Sequence, residues 1–222
     1  MRFLAEGPSI PDELVGLRAR GKVVFFCGAG VSMDAGQPSF FQLTRQIMEQ
    51  VHAPQSSQVG QLTKDAFAAN NPELTRPLDQ IFGLLQRDYL ADKIEREVVS
   101  LLYDRRNGDP AHHRTILGLS SDQEGVPLVV TTNFDLLFER ANPGIKIWSG
   151  PDLPDLSKSA SPTGVVYLHG RMPGSGRTTP GERSLILSSA DFGRAYLADG
   201  WATRFMRQLL EERTVVLLGY SA

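Results

Sequence analysis

The sequence predicts an α/β protein: a doubly wound, mostly parallel β-sheet with helices on both faces and a small helical insert. Two observations carry this prediction. Apolar strand-length runs alternate with amphipathic helical patterns along the chain, as expected for a parallel sheet covered on both sides. The first apolar run, Val23–Cys27, passes directly into the glycine turn Gly28-Ala29-Gly30. A strand that leads through a glycine turn into a helix is the arrangement in which doubly wound folds hold a nucleotide.

The first half of the chain is predicted to be mostly helical after that strand. Pro11–Arg20 precedes it as a short helix, and Ser39 is a candidate N-cap for a helix through Ile47. Residues 53–71 are polar and predict a loop with a poor helix. Two amphipathic patterns follow, over residues 78–85 and 94–102, so we expect a helical insert at roughly residues 53–108.

The second half alternates strands with helices. A helix is predicted from Asp109 to Leu119, and shorter helical patterns cover residues 136–140, a segment capped by Ser188 or Ser189, and residues 201–212. Residues 152–162 and 174–181 are predicted loops. The predicted strands are Pro127–Thr132, Ile145–Trp148, Val165–Leu168, Leu185–Leu187 and Thr214–Leu218. Because the last strand stops at Ser221-Ala222, where a crossover helix is expected, we expect the chain to be part of a longer protein.

Composition excludes several classes of function. The chain has 222 residues, 41% of them hydrophobic and 22% charged, which is typical of a soluble globular protein. A net charge of −2 gives no indication of nucleic-acid binding or of an anionic membrane as partner. No apolar run reaches the ~18 residues of a membrane span, and the start lacks a secretion signal, so we expect a cytoplasmic protein. Cys27, the single cysteine, cannot form an internal disulfide or a cysteine-based zinc site.

Polar or glycine residues follow four of the predicted strands. In open parallel sheets the carboxyl ends of the strands share one edge, and ligands bind in the crevice there. We therefore expect these distant segments to converge on one site. The four segments are Gly28-Ala-Gly-Val-Ser32, Thr131-Thr-Asn-Phe-Asp135, His169-Gly170 and Gly219-Tyr-Ser221.

In this order the four segments resemble the sirtuins, and in particular the divergent sirtuin-like domains of bacterial anti-phage defence proteins. The resemblance covers nearly the whole chain. It implies a Rossmann-like NAD+ domain with a helical insert, in which cleavage of the glycosidic bond releases nicotinamide. It also implies an NAD+ glycohydrolase that depletes the cofactor on infection, acting as a homo-oligomer or with a partner sensor domain.

Two departures from the family distinguish this chain from protein-deacylating sirtuins. Those enzymes carry a four-cysteine zinc module, which one cysteine cannot supply, so no zinc is expected. They also carry Gly-Ile-Pro-Asp-Phe-Arg after the glycine turn, whereas this chain has Gly36-Gln-Pro-Ser-Phe-Phe41. Both differences disfavour a deacylase. A sensing module that binds NAD+ or ADP-ribose without cleaving it remains a second hypothesis.

The candidate catalytic residues are Asn133, Asp135 and His169. The Asn133 amide suits holding ribose hydroxyls or orienting a water, although asparagine after a strand is often only a turn former or helix cap. The Asp135 carboxylate suits a ribose contact or a developing positive charge, although acids also favour helix N-termini. His169 is a candidate general base, against a purely structural hydrogen-bonding role.

The predicted NAD+-binding residues lie in the same segments. Ser32 is expected to contact phosphate or ribose, with a helix cap as its alternative, and Ser221 is expected to meet the adenosine half. His112 and His113 are predicted at the surface or core edge, and no metal site is predicted. The full set of cofactor-binding candidates is Gly28, Ala29, Gly30, Ser32, Thr132, Asn133, Asp135, Gly219 and Ser221.

Overall fold

The protein is a five-stranded parallel sheet with helices on both faces. The computed structural model describes residue 6 and residues 9–68, 77–122, 125–157, 162–179 and 184–220. Within these residues the strands are β1 Val23–Cys27, β2 Leu128–Thr131, β3 Ile147–Ser149, β4 Gly164–Tyr167 and β5 Thr214–Leu218. They lie in the order β3-β4-β2-β1-β5, and every pairing between them is parallel. The predicted α/β class is therefore confirmed.

Ten α-helices and one π-helical segment are assigned in the described residues. None of the described helices is both long and apolar enough to cross a membrane. The helices are α1 Asp12–Ala19, α2 Gly30–Met33, α3 Phe40–Gln50, α4 Gln58–Ala68, α5 Leu78–Tyr89, α6 Ala91–Asp104, α7 Ala111–Ser120, α8 Leu137–Ala141, α9 Ser189–Phe192 and α10 Trp201–Glu212, and the π-helical segment is Gly193–Ala198.

The sheet is apolar on both faces because its strands are continuous runs of large hydrophobic residues. Along β1, Val24 and Phe26 point into a cluster that Phe205 and Leu209 of α10 complete. Cys27 points to the opposite face, into a cluster with residues of α7 and α8. Strands buried on both faces are the expected consequence of helices on both sides of a parallel sheet.

The helices α3 to α6 form a third apolar cluster beside the sheet. Their amphipathic faces bury Ile47, Phe82 and Val98, and the same cluster takes in Phe134 and Met172 from the segments that follow β2 and β4. The helix α3 contacts both α5 and α6. The helical layer thus begins before residue 53, and the assignment of residues 53–108 as an insert stays a prediction.

Two elements differ from expectation. The predicted strand Leu185–Leu187 is wrong: its backbone does not join the sheet, because the Ile186 N–H donates to the carbonyl of His169 and the Leu187 N–H donates to the Asp191 carboxylate. Residues 53–71, predicted as a loop with a poor helix, contain the 11-residue helix α4, and Val59 on it is fully buried.

Candidate functional site

A cavity of about 490 Å³ lies at the carboxyl edge of the sheet. Segments that follow β1, β2, β4 and β5 all contribute to its wall, as expected for a ligand site in an open parallel sheet. Gly28 is not among the lining residues, and Ser221 lies outside the described residues. The predicted site residues that line the cavity are Ala29, Gly30, Ser32, Thr132, Asn133, Asp135, His169 and Gly219.

The glycine turn after β1 packs directly against the turn after β5. A Cβ atom added at Gly28 would lie 2.9 Å from the carbonyl oxygen of Gly219, and one at Gly30 would lie 2.7 Å from the Gly219 Cα. Gly219 itself has φ +69°, a left-handed conformation that favours glycine. The Gly30 N–H donates to the Gly219 carbonyl at 2.9 Å. Close contact between two turns therefore explains these glycines, and a role in pyrophosphate binding stays a prediction.

The amide of Asn133 is oriented by its neighbours. Its Nδ2 donates to the carbonyl of Gly28 and to Ser32 Oγ, each at 3.0 Å. Both amide hydrogens are used in this way, and the orientation of the amide follows from these two acceptors. The atom of Asn133 that remains to meet a ligand is Oδ1, which can accept a hydrogen bond from a hydroxyl or a water.

The Ser32 hydroxyl connects three polar side chains beneath the cavity. Its Oγ accepts from Asn133, lies 3.1 Å from Nε2 of His113, and hydrogen-bonds the Asp135 carboxylate. A hydroxyl has one hydrogen and two lone pairs. All three contacts are satisfied when Ser32 donates to Asp135 and accepts from Asn133 and from His113, which places the proton of neutral His113 on Nε2.

His113 is a member of the site that the sequence analysis did not identify. The side chain is fully buried and lies edge-on to Phe138 at 4.6 Å. Burial lowers its pKa to about 4, with a smaller contribution from His112. The signal was the helical period of α7, which places residues 113, 116, 117 and 120 on one buried face. His112 is exposed and lies 3.6 Å from Asp34.

Asp135 is buried at the base of the cavity. Its Oδ1 accepts from the N–H of Leu137 at 3.0 Å, so the carboxylate also serves the start of α8. Burial raises the pKa of this carboxyl above its ordinary value, while the hydrogen bonds from the Leu137 N–H and from Ser32 act in the opposite direction. Asp135 therefore acts in part as an acid at the N-terminus of α8, as its structural alternative predicted. Its role toward a ligand stays a prediction.

His169 is held on the side of the cavity nearest the π-helical segment. Its Nε2 lies 2.8 Å from the hydroxyl of Tyr196, and its ring is edge-on to Phe192 at 4.9 Å. Burial lowers the pKa of His169 to about 4. At neutral pH the ring is uncharged and a weaker base than an unperturbed histidine. The general-base role stays a prediction, although it assumed a pKa closer to neutrality.

Much of the cavity wall is apolar. Its polar groups are concentrated at the strand ends, and on the rim the hydroxyls of Thr132 and Tyr220 are hydrogen-bonded at 2.8 Å. Within the described residues, no group of three or more His, Cys, Asp or Glu side chains is arranged to hold a metal ion. The apolar lining residues are Met33, Pro38, Phe40, Leu43, Leu102, Phe134, Ile186 and Phe192.

Comparison with known proteins supports a family assignment for part of the chain. The sequence model of the SIR2-like domain matches residues 127–222, which include the segments after β2, β4 and β5. The chain is also 37% identical over 231 residues to "Uncharacterized protein y4cA" of Sinorhizobium fredii, an alignment that covers 100% of this chain and 18% of that relative. The chain thus spans about a fifth of the length of the curated relative it matches. The match over residues 127–222, together with the parallel sheet, supports a sirtuin-like family and indicates an NAD-related function.

Proposed function

We propose that this domain is an NAD+ glycohydrolase, which cleaves NAD+ to nicotinamide and ADP-ribose. The observation that carries the proposal is the convergence of Asn133, Asp135 and His169 on one cavity from the ends of two separate strands. The cavity has the size and the mixture of apolar wall and few polar groups that small-molecule sites have. NAD+ is the substrate, and no metal takes part in the scheme below.

The reaction needs positioning and stabilisation of charge. As the bond between the ribose carbon and the nicotinamide nitrogen breaks, its electron pair goes to the nitrogen, and positive charge develops on the ribose. The buried Asp135 carboxylate is the group that stabilises this charge. The Asn133 Oδ1 accepts a hydrogen bond from a ribose hydroxyl or from the attacking water. The water oxygen then bonds to the ribose carbon, and one proton is released to solvent.

The other predicted contacts complete the dinucleotide site. We expect the pyrophosphate near the turn of Gly28, Ala29 and Gly30, with Thr132 and Gly219 beside it. Ser221 is expected at the adenosine half. The apolar wall that includes Phe40 and Phe134 suits a nicotinamide ring before and after the bond is cleaved.

In the cell, we propose that the domain is the cofactor-depleting effector of an anti-phage defence protein. Its resemblance to the sirtuin-like domains of such proteins supports this role. The much greater length of the relative from Sinorhizobium fredii supports further domains, one of which would sense infection. The same proposal includes a cytoplasmic location and activation through homo-oligomers or a partner sensor.

The direct test is incubation of the protein with NAD+ and quantification of nicotinamide and ADP-ribose by chromatography, under conditions that permit assembly. We expect equal amounts of both products. Asn133→Ala removes the positioning oxygen and should lower turnover by about 100-fold. Asn142→Ala, at an exposed site after α8, is the matched control and should leave turnover unchanged. Binding of NAD+ with no release of nicotinamide would contradict the proposal.

A sensing module is the second candidate, and one observation favours it. With a pKa of about 4, His169 is poorly suited to accept a proton at neutral pH. A pocket that only reports occupancy by NAD+ or ADP-ribose needs no base. Tight binding of NAD+ without turnover, in the fully assembled protein, would favour this function. A protein deacylase is disfavoured, because Cys27 is the single cysteine, and release of an acyl group from a lysine peptide would revive it.

A further inference from the structure

Tyr196 holds His169 from behind the cavity. It lies in the π-helical segment Gly193–Ala198 and is not part of the cavity wall, whereas His169 is. The two side chains are joined by the 2.8 Å contact between the Tyr196 hydroxyl and Nε2 of His169. Wide helical turns of this kind occur often at functional sites. Neither the family match nor the motifs assign a role to Tyr196.

The ring of His169 lies edge-on to two aromatic side chains, Phe192 and Tyr196, and its backbone is also hydrogen-bonded. Phe192 meets it edge-on at 4.9 Å, and Phe192 in turn stacks on Tyr196 at 5.9 Å. The backbone carbonyl of His169 accepts from the Ile186 N–H at 2.9 Å. With Nε2 occupied by the Tyr196 hydroxyl, Nδ1 is the ring nitrogen for which the described residues provide no hydrogen-bond partner. Nδ1 is therefore the ring nitrogen of His169 that is left to meet a ligand in the cavity.

The direction of the hydrogen bond between Tyr196 and His169 decides whether Nδ1 of His169 is a hydrogen-bond donor or an acceptor. A neutral imidazole has one N–H and one lone pair. A phenol is the more acidic donor of the two groups, and an imidazole nitrogen is the more basic acceptor. Burial also raises the pKa of Tyr196 to about 12, so its hydroxyl keeps its hydrogen at neutral pH. The stronger of the two arrangements has the Tyr196 O–H as donor and Nε2 of His169 as acceptor.

We propose that Tyr196 is a positioning residue that fixes His169 as a hydrogen-bond donor, with the ring proton on Nδ1, toward an oxygen atom of the ligand. The ligand oxygen belongs to a ribose hydroxyl if the proposed function is correct, and this inference rests on that function for the identity of the ligand. In this arrangement His169 orients an oxygen and does not remove its proton. The negative charge needed near the ribose then comes from Asp135.

The tautomer of His169 is measurable without any substrate. In 15N-labelled protein, long-range 1H–15N correlation spectra distinguish protonated from unprotonated imidazole nitrogens, and His169→Gln assigns the signals. We expect unprotonated Nε2 and protonated Nδ1 in the wild-type chain. In Tyr196→Phe the acceptor Nε2 loses its donor, so we expect a mixture of both tautomers.

Turnover provides the second readout. Loss of one oriented hydrogen bond should lower kcat for NAD+ about tenfold in Tyr196→Phe, with a smaller change in KM. Tyr89→Phe is the matched control: Tyr89 lies at the end of α5, outside the cavity wall, and the substitution should change neither readout. A wild-type spectrum with Nε2 protonated would overturn the inference, as would a spectrum that Tyr196→Phe leaves unchanged. Because the spectra need no turnover, they decide the inference even if NAD+ is not cleaved.

Discussion

At the scale of single residues, Ser32 links the groups that the mechanism needs. Its hydroxyl touches Asn133 and His113 and also bonds Asp135, so one small side chain sets the orientation of an amide and the environment of a carboxylate. Such networks are costly when only partly satisfied, because a buried polar group without a partner loses its hydration. In this network Nε2 of His113 has Ser32 Oγ as its partner, whereas the described residues provide no hydrogen-bond partner for the buried Nδ1 of His113.

His113 is buried and His169 is partly buried, and both make stability depend on pH in a defined direction. Burial lowers the pKa of both His113 and His169 from 6.5 to about 4. Between these values the unfolded chain binds protons that the folded chain does not, so stability falls as the pH falls from 6.5 toward 4. Asp135 acts in the opposite sense, because its raised pKa lets the folded chain take up a proton first.

We expect each of the two histidines to contribute about 2 kcal/mol to the loss of unfolding free energy between pH 7.5 and pH 5. When His113→Gln is unfolded with urea at both pH values, the unfolding free energy should fall between pH 7.5 and pH 5 by about that much less than in the wild-type chain. His112→Gln, at the exposed neighbouring position, is the control and should keep most of the wild-type difference, because His112 makes the smaller contribution to the lowered pKa of His113. The explanation would be wrong if His113→Gln retained the full wild-type pH dependence.

The candidate site residues that could be predicted from the sequence are those that follow strands. Asn133, Asp135 and His169 each come shortly after a buried apolar run, and parallel topology brings such positions together. His113 and Tyr196 are different, because a helix positions each of them and their partners are more than 25 residues away. The helical period of α7 indicates that His113 is buried, but no local pattern indicates which buried histidine or tyrosine will meet a site over such distances.

At the scale of elements, the turns after β1 and β5 behave as one unit. They approach so closely that side chains are excluded at Gly28 and Gly30, and the Gly28 N–H donates to the carbonyl of Leu218 at 2.8 Å. The sequence places a glycine turn directly after β1, and the role of this turn in nucleotide binding stays a prediction. Its close packing against the second turn could not be read from the sequence, because that turn lies almost 190 residues away.

A pair of glycine substitutions tests this contact. Gly30→Ala should lower the free energy of unfolding by about 2 kcal/mol, because the new Cβ would lie 2.7 Å from a backbone atom of the other turn. Gly118→Ala is the matched control on α7, where nothing lies within 4 Å of the added atom and alanine favours the helix by roughly 1 kcal/mol. Denaturant unfolding of both variants measures the difference. Equal effects of the two substitutions would contradict the packing of the turns.

The two elements that the sequence patterns did not predict correctly differ from expectation for the same reason, which is tertiary contact. Leu185–Leu187 is apolar enough for a strand, yet its N–H groups bond to His169 and Asp191, so tertiary contacts override the local preference. In α4 a polar sequence forms a helix because Val59 on it is buried in the cluster of α3 to α6. The long amphipathic helices α5 and α6, in contrast, were correctly predicted from their period.

At the scale of the whole molecule, the sheet accounts for the site. In the strand order β3-β4-β2-β1-β5, the strands β1, β2, β4 and β5 have their carboxyl ends at one edge of the sheet. The apolar runs and their order predicted this edge and several of the residues that line the cavity there. The helical layer of α3 to α6 closes one side of the cavity with Phe40, Leu43 and Leu102, to which the sequence analysis assigned no role in the site.

The most direct test of the central claim is a crystal structure of the Asn133→Ala variant with NAD+, in which slow cleavage preserves the dinucleotide. We predict the nicotinamide ribose in the cavity beside residue 133 and Nδ1 of His169, with the pyrophosphate at the turn of Gly28 to Gly30. A dinucleotide bound away from this edge of the sheet, or a cavity that stays empty at saturating NAD+, would contradict the account.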